Sequence, residues 1–295
     1  VSKIMIYIHG YSNFVSPPVD DTNIYKQEIS RYTKLKFRRA NKFVLLSLVG
    51  ACQCARGQAV KADTAVYLTT ENGTLGDTET VLDQLYLQHE FPMPYNFINT
   101  MSNTASFYVA QNFDILGRNF TFSSKQLSFE RGLELLRNDL AAGVVKQALF
   151  GGVDEVSFSK SQFETKFNRP YRDYEMIEGS CWLLIKADNG GALGEIATIE
   201  SFGSLNQTAQ WLNRQRFKRS VILSFGMLID PGQKASLSQA VCHDGEFSYI
   251  SEYGYFDSVT ACGISGFLER YEDACLVNIN VDSRGQFVIL VVEKY

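Results

Sequence analysis

The sequence predicts an α/β fold. Short apolar, β-branched runs alternate with stretches whose apolar residues recur at helical spacing. The chain has 295 residues, 45% of them hydrophobic, enough for one large domain or two fused halves around a substantial core. It contains no low-complexity segment, short repeat or Pro-, Gly- or Ser-rich linker. The nearest candidate boundary is the polar, aromatic stretch Ser157 to Asp173, which divides residues 1–160 from 161–295.

In order, Ile4 to Ile8 reads as a buried strand closed by Gly10, and Asp21 to Arg39 as helix and loop. Phe43 to Val49 is a strand-length apolar run before the small residues Gly50-Ala51-Cys52. Thr64 to Thr69 reads as a central strand, followed by turn-rich Glu71 to Gly76. Thr78 to His89 carries Val81, Leu82, Leu85 and Tyr86 on one helical face and is broken by Phe91-Pro92-Met93-Pro94. Asn103 to Phe113 is a second helix, with Phe107, Val109 and Ala110 near its middle. Gly117 to Asn119 turns into the strand Phe120 to Ser123. Ser124 is a plausible N-cap for a helix to Ala142, stopped by Gly143, and Gln147 to Phe150 is a strand ending at Gly151-Gly152.

Cys181 to Ala187 and Ile196 to Phe202 read as strands, and Gly190-Gly191 between them suggests a hairpin. Val221 to Phe225 is a strand, Lys234 to Val241 a short helix, and Ser258 to Arg270 a helix containing Gly263 and Gly266. Ala274 to Val281 and Phe287 to Glu293 close the chain as a hairpin around Asp282 to Gly285.

The net charge of -4 gives no basic stripe of the kind a nucleic-acid surface needs. No apolar run is long enough to span a membrane, and the opening residues form a β pattern and not a leader, so a cytoplasmic chain is expected. The sequons at Asn72, Asn119 and Asn206 then carry no weight. The six cysteines sit mostly among apolar or small residues and read as reduced core thiols. Cys242-His243-Asp244 lacks a second ligand cluster, so no metal and no other cofactor is expected. Ile8-His9-Gly10 has no Gly-x-Ser-x-Gly elbow to serve, and Asn72 to Gly76 lacks the ending of a phosphate loop.

The segment Gly117 to Asp154 resembles the nucleophile region of β-ketoacyl synthases. That region runs as a Gly-x-Asn turn, an aromatic-Thr-Val-Ser strand, an elbow bearing Cys, a helix, and a strand ending in Gly-Gly-x-Glu or Gly-Gly-x-Asp. Gly117, Asn119, Thr121, Ser123, Gly151, Gly152 and Asp154 fall in register. Phe97 to Ala105 resembles the family's Pro-Asn-x-Ala-Ala segment, Glu178 to Leu184 its Gly-Glu-Gly-Ala strand, and Asn278 to Val292 its closing hairpin. The resemblance implies a thiolase-like fold: five αβαβα layers built from two related halves, the second half here shortened.

The departures point away from catalysis. In that register the nucleophile position holds Gln126, and a carboxamide cannot attack a thioester. The second-half histidines that ketosynthases use in decarboxylation are also missing. Asp257 or Ser258 stands at one position, and His243 is near the other in a different setting. Glutamine at the nucleophile position resembles the chain-length factors of type II polyketide systems. This similarity implies a heterodimer with a catalytic ketosynthase, acyl carrier protein met through that complex, and an aryl polyene setting.

Two sets of residues follow from the resemblance. Leu82, Leu85, Tyr86, His89 and Phe91 would line the chain-length tunnel, although core packing is the simpler reading of that face. Asn103, Phe107, Phe120, Thr121, Phe122 and Ser123 would form the dimer interface. The alternatives are a diverged stand-alone acyltransferase or malonyl decarboxylase using Gln126 or His243, and a free-standing acyl-binding protein.

Overall fold

Successive side chains of each central strand enter different cores, and this alternation sets the layers. The computed structural model describes residues 5–167 and 174–295. The first part holds β1 (Ile6–Ser16), α1 (Asn23–Ile29), α2 (Lys42–Cys54), β2 (Ala65–Thr69), α3 (Leu75–Tyr86), α4 (Pro94–Asn99), α5 (Asn103–Asn112), β3 (Asn119–Phe122), α6 (Ser128–Ala141), β4 (Gln147–Asp154), α7 (Lys160–Phe167) and β5 (Glu178–Lys186). The second holds β6 (Gly194–Phe202), α8 (Leu205–Arg214), β7 (Ser220–Phe225), α9 (Pro231–Gln239), β8 (Gly245–Glu246), α10 (Tyr249–Tyr253), α11 (Thr260–Arg270), β9 (Ala274–Val281) and β10 (Phe287–Lys294).

The strands form one hydrogen-bonded ladder of ten in the order β3-β2-β4-β5-β1-β6-β10-β9-β7-β8. Adding five to each number of β3-β2-β4-β5-β1 gives β8-β7-β9-β10-β6, the other half read outward-in. The pairings repeat too. β2 is parallel to β3 and β4, β5 antiparallel to β4 and β1; β7 is parallel to β8 and β9, β10 antiparallel to β9 and β6. The halves are thus related, as the sequence implied. We place their division at 187–193, between β5 and β6, and later than 160/161.

Tyr67, Phe150, Leu183, Leu276 and Leu290 point into a middle core shared with α6 and α11. Val66, Leu149 and Trp182 face an outer core under α1, α2 and α5. Leu223, Val277 and Ile289 face the opposite outer core, with Leu212 of α8 and Leu237 of α9. Three cores separated by two sheet layers give the αβαβα arrangement of the thiolase-like fold.

Several expectations are corrected. The first strand continues past Gly10 to Ser16, with its register shift between Ile8 and Gly10, so His9 lies inside it. Residues 1–4 and 168–173 lie outside the described residues, among them Ile4 of the expected strand and the last six residues of the expected boundary stretch. Phe43 to Val49 belongs to helix α2, apolar around nearly its whole circumference and buried on all sides. Asn41 caps it by accepting from Val44 N at 2.9 Å. Gly50 of α2 and Gly151 of β4 allow the close packing; a Cβ on Gly151 would lie 2.4 Å from the Trp182 indole. Gly190-Gly191 makes no hairpin, because β1 lies between β5 and β6. The closing hairpin of β9 and β10 forms as expected.

Candidate functional site

Gln126 stands in the bend between β3 and α6, where the resemblance puts a nucleophile. The bend is tight: Lys125 and Leu127 on either side have φ of 51° and 68°, left-handed values that side chains other than Gly seldom adopt. The helix starts at Ser128 and not Ser124. Ser128 Oγ accepts from Ser124 N at 2.9 Å and donates to Lys125 O at 2.5 Å, so a serine inside the first turn ties the bend instead of an N-cap. Gln126 Oε1 accepts from Ser283 Oγ at 3.2 Å, which brings the closing hairpin of the second half onto the elbow of the first.

Below the elbow is a polar cavity of about 40 Å³. Gln126, Glu71, Glu130, Asp257 and Asn280 are among its walls, with Tyr249 and Tyr255. By itself it has the size of a water site. A larger cleft, of about 450 Å³, meets it at Gly226 and Met227.

Most polar atoms of the walls are bonded to one another. Lys166 of α7 bridges Glu71 Oε1 at 3.0 Å and Asp257 Oδ1 at 2.9 Å. Tyr255 and Asn72 donate to the same Asp257 carboxylate at 2.8 and 2.7 Å. Burial and the neighbouring Asp257 push the Glu71 carboxyl up to about 8, against the pull of Lys166. Its Oε2 is buried without a hydrogen-bond partner.

Beneath this cluster, Asp154 accepts from Thr70 Oγ1 (2.5 Å), Glu71 N (2.9 Å), Ser258 N (2.8 Å) and Ser258 Oγ (2.6 Å). Burial and Asp257 raise it to about 7, opposed by those donors. Glu130 of α6 accepts from Thr260 Oγ1 at 2.7 Å and Asn280 Nδ2 at 2.5 Å, and burial raises its carboxyl as well. Asp154 and Glu130 thus each fasten an element of the first half to an element of the second.

Among the described residues, no histidine or cysteine lines the cavity. His9 is buried on Asp188 O at 2.8 Å, and His89 and His243 are exposed. Asp257, expected at a histidine position, is in the cavity wall, and Ser258 beside it is on Asp154. The described residues contain no Asp, Glu, His or Cys group suited to a metal. No described helix is long and apolar enough to cross a membrane. The arrangement offers carboxylates, amides and hydroxyls, most of them engaged with each other, and no thiol or imidazole among the described residues.

The other expected residues lie outside this cavity. Only Val81 of α3 is buried; Leu82 and Leu85 are exposed, Tyr86 is 73% exposed and Phe91 96%. Core packing of that face is therefore overturned. His89 has a left-handed φ of 54° just beyond the helix. Phe107 of α5 is 58% exposed, and Asn103 is exposed at the start of the same helix. Phe120, Thr121 and Phe122 lie on β3, the end strand of the ladder, with Ser123 just after it. Thr121 Oγ1 pairs with Ser106 Oγ at 2.9 Å, and Ser123 Oγ donates to Glu71 O at 2.9 Å.

Sequence reading missed Glu71, Glu130, Lys166 and Asn280. Two signals were present. Asn278 and Asn280 interrupt an otherwise apolar strand at alternate positions, on one face. Glu130 sits on the same helical arc as Phe129 and Leu133.

No protein-family profile matches the chain, and no curated protein matches it. Solved structures do. The ishigamide ketosynthase/chain length factor superposes with a TM-score of 0.77 at 15% identity, covering 98% of this chain and 99% of that one. This is the ketosynthase fold. A type II polyketide synthase acyl carrier protein in complex with its ketosynthase bound to the hexaketide matches at 0.71 and 12%, over 99% of both chains. A ketosynthase in complex with its chain length factor from Xenorhabdus doucetiae matches at 0.57 and 14%, over 99% of this chain and 100% of that one.

Proposed function

We propose that this chain is a non-catalytic, chain-length-factor-like subunit that pairs with an active ketosynthase. The observation that carries the reading is Gln126 in the strand-to-helix elbow, above a cavity without thiol or imidazole among the described residues. A homodimer of such chains would contain no nucleophile, so the partner supplies it. The partner condenses malonyl units delivered by acyl carrier protein, and this chain closes the tunnel that holds the growing polyketide or aryl polyene.

The exposed apolar surface supports an obligate partner. β3 is an open edge, and Phe120 on it and Phe107 on α5 stand exposed, as do Tyr86 at the end of α3 and Phe91 beyond it. We assign Asn103, Phe107 and Phe120 to Ser123 to the subunit interface. Leu82, Leu85, Tyr86, His89 and Phe91 become tunnel wall once a partner covers them.

Co-expression with its ketosynthase and assay on malonyl-loaded carrier protein test this. The pair makes product of one length, the chain alone releases no carbon dioxide, and Leu82→Ala shifts product length while the pair still assembles. Gln126→Cys alone takes up no acyl group by intact mass. Turnover by the isolated chain, or failure of the co-expressed pair to associate, overturns the reading.

A further inference from the structure

Residues 26–42 carry seven of the chain's 28 lysines and arginines and only one of its 32 acids, in a chain whose net charge is -4. They run from the middle of α1 to the first residue of α2. Lys26, Arg31, Lys34, Lys36, Arg38 and Arg39 are exposed. Arg31 pairs with Glu28, and Arg39 lies over the Tyr95 ring at 5.6 Å. Among the described residues, Lys26, Lys34, Lys36 and Arg38 meet no carboxylate. Four uncompensated like charges so close together oppose folding.

Between these cations Ile29, Leu35 and Phe37 form the apolar part of a cleft of about 330 Å³, rimmed by Lys26, Lys36 and Arg38. Ile29 is buried, and Phe37 packs edge-on against Tyr108 of α5 at 5.8 Å. The loop is thereby anchored with its cations outward and Leu35 48% exposed among them.

We propose that this segment docks the protein on an anionic lipid bilayer. Phosphate headgroups meet the cations, and Leu35 enters the boundary with the acyl chains. Residues 33–37 belong to no helix or strand, so their charges keep no repeating register. A bilayer needs only charge density and an insertable apolar side chain, and this irregular loop supplies both. The proposal does not rest on the reading of Gln126.

Co-sedimentation of the full chain with vesicles tests it. We expect binding to phosphatidylcholine–phosphatidylglycerol vesicles about tenfold or more tighter than to phosphatidylcholine alone, and lost in about 0.5 M salt. Lys34→Glu/Lys36→Glu/Arg38→Glu abolishes it, and Leu35→Asp weakens it severalfold, both with unchanged circular dichroism. Arg214→Glu/Lys218→Glu, on a separate basic stretch, binds as the parent does. Four results overturn the proposal: equal binding to both vesicles, unchanged binding of the triple variant, equal loss in the Arg214/Lys218 variant, or capture of acyl carrier protein by the segment while vesicles do not bind.

Discussion

The two halves share a strand order but end differently. The first ends on β3, four residues long, with exposed Phe120 and with α5 packed beside it. The second ends on β8, two residues long, with Glu246 held by Lys234. A short, charged edge resists pairing, and a longer apolar one invites it. The first half also carries three helices, α3, α4 and α5, between β2 and β3, with only α9 between β7 and β8. One repeat ends in an open apolar edge, and the other in a short charged one.

The largest effect should come where the halves are fastened together. Asp154→Ala leaves four buried donors from both halves without an acceptor and is expected to cost about 3–5 kcal/mol in urea unfolding. A loss below about 1 kcal/mol would mean that the halves hold together without this contact. Next comes the contrast of edges. Phe120→Asp should weaken ketosynthase binding by about 2 kcal/mol or more in a titration, while Glu246→Lys changes it little. Equal losses from the two would erase the distinction.

The pH dependence is smaller. Burial raises Glu71 and Glu155 from 4.5 to about 8. A carboxyl raised in the folded state holds its proton there more tightly than in the unfolded chain. Its stabilisation is complete below about pH 4.5 and lost as pH rises through about 8. The melting temperature should fall by about 5 °C between pH 5 and 8, and Glu71→Gln should flatten the slope. A rise over that range contradicts the assignment. Smallest is Tyr86→Ala, at 73% exposure, which should shift isolated-chain stability by less than about 0.5 kcal/mol. A larger loss would place Tyr86 in the fold of the first half and not on its open surface.

Most strands were legible because β-branched and apolar runs are local, and the elbow's position followed from the register of Gly117 to Asp154. Contacts distant in sequence were not legible. Gly190-Gly191 looks like a hairpin turn until β1, from the start of the chain, is found between its strands. The periodicity of α3 was plain, but periodicity does not say whether a face meets core or solvent. Left-handed Lys125 and Leu127 carry no compositional sign, so the helix was started four residues early. Whole-chain charge concealed the cations of residues 26–42, because acids elsewhere outnumber them.

β1 is the seam: Ile6 to Ile8 pair with β6 while the strand runs on along β5. During synthesis β1 must wait for β6, and the apolar side of α6 (Phe129, Leu133, Leu136) must wait for α11, more than a hundred residues later. A nascent chain stalled after β5 would present that uncovered helix and the bare β3 edge together, a state for chaperones to guard.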